Sequence, residues 1–113
     1  MKQLISLVAL VWLVGCASTP ETIAYRVIGS TTIGVDAAMN GWGDYVRVGK
    51  ATPQDEVVVK KVYESYQQVM RTTKTVVMSY KMGVADQTAL EKALDAVEAA
   101  KNELVNLITM LRK

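Results

Sequence analysis

The chain contains no histidine and a single cysteine, Cys16. A transition-metal centre built from His and Cys is therefore excluded, as is an intramolecular disulfide. Catalytic triads and dyads that depend on histidine fall with them. Charge of one sign is also scarce. Thirteen Lys and Arg stand against eleven Asp and Glu, a formal net charge of +2. A dedicated nucleic-acid binder carries a strongly basic face, so that class is set aside. The glycines lack both the spacing and the preceding strand of a phosphate-binding loop. The carboxylates Asp36, Asp44, Glu64 and Glu91 show no pairing of the kind glycoside hydrolysis needs. The expectation is a protein that is not an enzyme and carries no cofactor or metal.

What is present is apolar and regular. Half of the 113 residues are hydrophobic, enough for one small core and too many for a disordered chain. Lys2 opens the chain with a positive charge. Residues 4–14 then read LISLVALVWLV, with Ser6 the one polar side chain. Eleven helical residues at about 1.5 Å each fall short of a hydrocarbon core roughly 30 Å thick. A charged start, a short apolar run and then small residues are the anatomy of a secretory signal peptide.

Leu13-Val14-Gly15-Cys16 follows at the cleavage region. It resembles the lipobox of bacterial lipoproteins: Leu, a small or β-branched residue, Gly or Ala, then Cys. The resemblance covers about sixteen residues and matches no specific family for the rest. It implies a signal peptide over residues 1–15, removed before Cys16, with lipid attached to Cys16 and acyl chains as the contact with the membrane. Two or more chains give stable anchoring, since each buried CH₂ contributes about 0.8 kcal/mol. Ala17-Ser18 follows, without the Asp that resembles an inner-membrane retention signal. In a Gram-negative host this implies the periplasmic face of the outer membrane.

Residues 16–20 read as a short lipidated tether ending at Pro20. Residues 21–113 read as an all-α domain. The first helix is expected over about 21–48, where Ile28, Thr32, Val35, Met39, Trp42 and Val46 share a face at 4-3-4-3-4 spacing. Thr31, Gly34, Ala38, Gly41 and Tyr45 form a smaller stripe beside it. Asp36, Asn40 and Arg47 take the opposite side. A strand over residues 28–35 ranks second. The next helix, about 53–82, starts with Thr52 as N-cap, Pro53 in first position and Asp55 and Glu56 at the positive end of the dipole. Val59, Val62, Tyr66, Val69, Thr73, Val76 and Tyr80 alternate 3-4, with Tyr63, Met70 and Val77 widening the stripe, and Gly83 supplies the stop. Asp86 caps the last helix, about 87–112, whose stripe is Leu90, Ala93, Val97, Ala100, Leu104, Leu107 and Leu111. Short turns imply antiparallel neighbours. The fold class is an antiparallel three-helix bundle, with an extended helical hairpin that oligomerises as the alternative.

Trp42 and Tyr45, in the string Gly41-Trp42-Gly43-Asp44-Tyr45, are the candidate interaction surface. The competing reading makes Trp42 the largest core residue, with its glycines admitting a neighbouring helix. Tyr63, Tyr66 and Tyr80 can form a sugar-binding strip, but their helical spacing favours packing. Lys60, Lys61, Arg71 and Lys74 make the middle helix locally basic, which suits anionic headgroups or cell-wall polymer but reads most simply as a solvated face. The expected function is a non-enzymatic, lipid-anchored envelope protein acting as a structural or interaction module. Its partner would be an envelope protein or a second copy of itself. The layout of lipobox, small size and helical repeats also resembles the spanins, the outer-membrane lipoproteins of phage lysis systems. Many of those are proline-rich, whereas Pro20 and Pro53 are the only prolines here. A carrier of small apolar ligands ranks last, because so small a bundle has little room beyond its own core.

Overall fold

The computed structural model describes residues 19–113; the segment expected to be a signal peptide, the lipobox-like string and Cys16 lie outside them. Three α-helices follow one another: α1 (Pro20–Arg47), α2 (Pro53–Lys81) and α3 (Gln87–Leu111). Each begins with a side-chain cap. Thr19 Oγ1 accepts the backbone N–H of Thr22 at 3.1 Å, Thr52 Oγ1 that of Asp55 at 3.1 Å, and Asp86 Oδ1 that of Ala89 at 2.8 Å. In α1 and α2 a Thr-Pro pair does the same work twice: the threonine satisfies an orphan N–H, and proline fills the first position, where no donor is missed. Pro20 therefore opens the first helix rather than closing the tether.

Both turns are Schellman motifs. Gly49 N–H donates to the Val46 carbonyl at 2.9 Å and Lys50 N–H to that of Tyr45 at 3.2 Å. Gly83 N–H donates to the Tyr80 carbonyl at 3.0 Å and Val84 N–H to that of Ser79 at 2.8 Å. Gly49 and Gly83 have φ of +78° and +77°, a conformation in which a Cβ is strained.

The path is up, down, up. Trp42, Val59, Leu104 and Ile108 meet in the larger core cluster, and Ala24, Val77, Leu90 and Leu94 in a smaller one. The start of α1, the end of α2 and the start of α3 thus share one end of the bundle. α3 is the central helix: it packs along both α1 and α2, which touch each other over far less of their length. This explains a shift in its buried face. Leu94 and Ile108 are buried although the single 3-4 stripe omits them, because a helix between two neighbours buries a wider arc. Thr73 ties α2 to α3 by donating its hydroxyl to the Ala93 carbonyl at 3.1 Å.

In α1 the buried line runs through Ala24, Thr31, Val35 and Trp42, displaced towards the small-residue stripe. Long α3 side chains lie over that stripe: a Cβ at Gly34 would meet Lys101 Cε at 3.0 Å. Thr32, expected on the core face, is exposed, and its hydroxyl donates to the Ile28 carbonyl of its own helix at 2.8 Å. Residues 28–35 are helical throughout, so the strand alternative does not hold.

Candidate functional site

The sparse contact between α1 and α2 leaves a seam along their shared side. One half is a recess of about 250 Å³ lined by Thr32 and Asp36 of α1 and by Tyr63, Tyr66, Gln67, Met70, Arg71 and Lys74 of α2. The other half, about 340 Å³, is lined by Tyr25 and Ile28 of α1 and by Lys74, Val77 and Met78 of α2. Lys74 lines both, so the two recesses adjoin along the groove between α1 and α2, the one more polar and the other apolar. Its walls are set by helical spacing: Tyr25, Ile28, Thr32 and Asp36 recur every three to four residues on one side.

At the apolar end Lys81 Nζ donates to the Tyr25 hydroxyl at 2.8 Å, bridging the seam. The nitrogen is 5.5 Å from the ring centroid. A phenol oxygen lies about 2.8 Å from its ring centre, so the ammonium sits almost on the ring's long axis, beyond the hydroxyl and away from the face a cation–π contact requires. The hydrogen bond to Tyr25, with a smaller contribution from the Glu21 carboxylate, holds the Lys81 ammonium above the usual lysine value. At the polar end burial is the largest influence on the Tyr66 hydroxyl and raises it above the ordinary phenol value. The Thr32 hydroxyl opposes this in part, while Asp36 and Tyr63 add to it. Asp36 faces a wall that carries two cations, Arg71 and Lys74. The groove is thus suited to a side chain or chain segment that is apolar at one end and acidic or hydrogen-bonding at the other.

Trp42 and Tyr45 are not in this groove. Trp42 is 5% exposed in the larger core cluster, and Tyr45, half-buried, stacks on it with centroids 5.6 Å apart. Tyr66 is buried and Tyr63 half-buried, stacked at 6.3 Å, which is packing rather than an open strip. The seam itself has no signature in any one helix. Thr32 reads as core, and Arg71 and Lys74 as wet surface; only their juxtaposition makes a groove. Among the described residues no group of three His, Cys, Asp or Glu comes together to hold a metal ion. No described helix is long and apolar enough to cross a membrane. No family model, curated protein or solved structure matches the chain.

Proposed function

We propose that the chain is a lipid-anchored helical protein of the bacterial envelope, without enzymatic activity, that offers its bundle surface to a partner. The observation that carries the anchor is the string Leu13-Val14-Gly15-Cys16, which ends three residues before Thr19, the cap of the first helix. A processed, acylated Cys16 would deliver a folded bundle to the bilayer with almost no linker. The seam between α1 and α2 supports the interaction role, since these two helices touch least and leave a largely apolar recess between them. Anchoring concentrates such a surface at the membrane, where a weak contact becomes effective. In a Gram-negative host the residues after Cys16 favour the periplasmic face of the outer membrane.

Cys16→Ser tests the anchor. The variant should accumulate at precursor size, without lipid. A mature-sized band that still fractionates with membranes would exclude the lipoprotein reading.

A further inference from the structure

The two Schellman turns share a backbone but differ in the residue that follows the glycine. In the turn far from Thr19 that residue is Lys50, which suits solvent. In the turn near Thr19 it is Val84. A Schellman motif commonly packs this position against the residue five earlier, but here that residue is Ser79, and Val84 remains 77% exposed. Met82, two residues before it, is 70% exposed, and no charge interrupts Met82-Gly83-Val84-Ala85. This turn lies at the tether's end of the bundle. Pro20, the first residue of α1, borders the same recess as Gln87, the first residue of α3, so the turn caps the bundle where the chain leaves towards Cys16.

We propose that the 82–86 turn is a second membrane contact, its Met82 and Val84 side chains seated in the phospholipid interface beside the acylated Cys16. The inference rests on the lipid-anchor reading. Chain length confines the geometry. From Cys16 to Thr19 there are three peptide steps, at most about 11 Å in any conformation, so this end of the bundle cannot leave the bilayer surface. An apolar tip at that end of the bundle is held close enough to meet headgroups and the upper acyl region, the depth amphipathic elements reach. The side chains behind the tip fit the same boundary. Tyr25 is half exposed and is hydrogen-bonded to Lys81, an aromatic hydroxyl and a cation with an apolar stem. Tyr and Lys are suited to the layer where apolar and aqueous phases meet. The bundle then stands on the membrane, with Val48 at the far end of α1. Twenty-eight helical residues place that far turn about 42 Å away.

The test uses the full chain with Val84→Cys, expressed so that Cys16 is acylated, which leaves residue 84 the single free thiol. It is labelled with nitrobenzoxadiazole and reconstituted in phosphatidylethanolamine–phosphatidylglycerol vesicles carrying nitroxide-labelled lipid. Met82→Cys is a second probe of the turn, and Val48→Cys, at a comparably exposed position, marks the far end. The expected result is blue-shifted emission at 84 and 82, with quenching several-fold stronger than at 48. Equal quenching at both ends, or water-like emission at 84 and 82, overturns the docking while leaving the anchor intact. Intact mass of the same sample decides the anchor separately: a Cys16 without acyl chains overturns both.

Discussion

Glycine substitutions within α1 and after α2 offer a test in which the structure fixes the order of effects. Gly29 lies within α1, and a Cβ built there meets nothing within 4 Å. Gly29→Ala should therefore recover the helix propensity that glycine forgoes, about 1 kcal/mol, with no packing penalty. For a domain of this size that is a rise in Tm of about 4–8 °C. Gly34 is also helical, but its Cβ would press Lys101 Cε at 3.0 Å. That atom belongs to a flexible stem that can yield a few tenths of an ångström, so Gly34→Ala should be near neutral, well below the gain at Gly29. Gly83 has φ of +77° in the turn after α2. There Gly83→Ala should lower stability by about 1–2 kcal/mol, since L-residues are strained in that region. Thermal unfolding followed by circular dichroism at 222 nm gives all three values. Destabilisation by Gly29→Ala would mean that another element covers this face of α1. A neutral Gly83→Ala would mean that the turn is not left-handed. Either result would refute the reasoning.

Three further outcomes follow from the packing and the charges. Leu104 is wholly buried where the central helix meets both neighbours, and Leu104→Ala should cost about 2–5 kcal/mol, read as a lowered urea midpoint. Thr52→Ala removes the cap on Asp55 N–H and should cost about 1 kcal/mol in the same assay, with Thr52→Ser restoring most of it. Stability should also fall above about pH 10. The folded chain keeps the Tyr66 proton after the unfolded chain has released it, so it loses ground as pH rises through that window. Lys81 acts in the same direction: its contribution is whole below the ordinary lysine value and is lost as pH climbs through the raised one. A urea midpoint unchanged between pH 8 and pH 11 would contradict this.

The helices were legible because their ends are written locally. Thr52-Pro53, Asp86 and Gly83 each act within four residues of themselves, and the helices end within one residue of the expected limits. Thr19 is less legible for a related reason. Pro20 reads equally as the end of a tether or the first residue of a helix, and Thr19 settles it only when its hydroxyl is seen to accept from Thr22. Which faces are covered was less legible, because periodicity describes one helix at a time. It cannot tell that α3 has two neighbours, which buries Leu94 and Ile108, or that α1 and α2 stand apart, which leaves Thr32 exposed and brings Asp36 opposite Arg71 and Lys74. For Trp42 the flanking glycines suggest a surface and its place in the apolar stripe suggests the core; at 5% exposure the indole lies in the core.

Intact mass spectrometry of the protein extracted from membranes tests the central claim most directly. The account predicts one species beginning at Cys16, heavier than residues 16–113 by a diacylglyceryl group and, where the new N-terminus is acylated, one further acyl chain. A chain beginning at Met1, or one beginning at any residue with an unmodified Cys16, would contradict it.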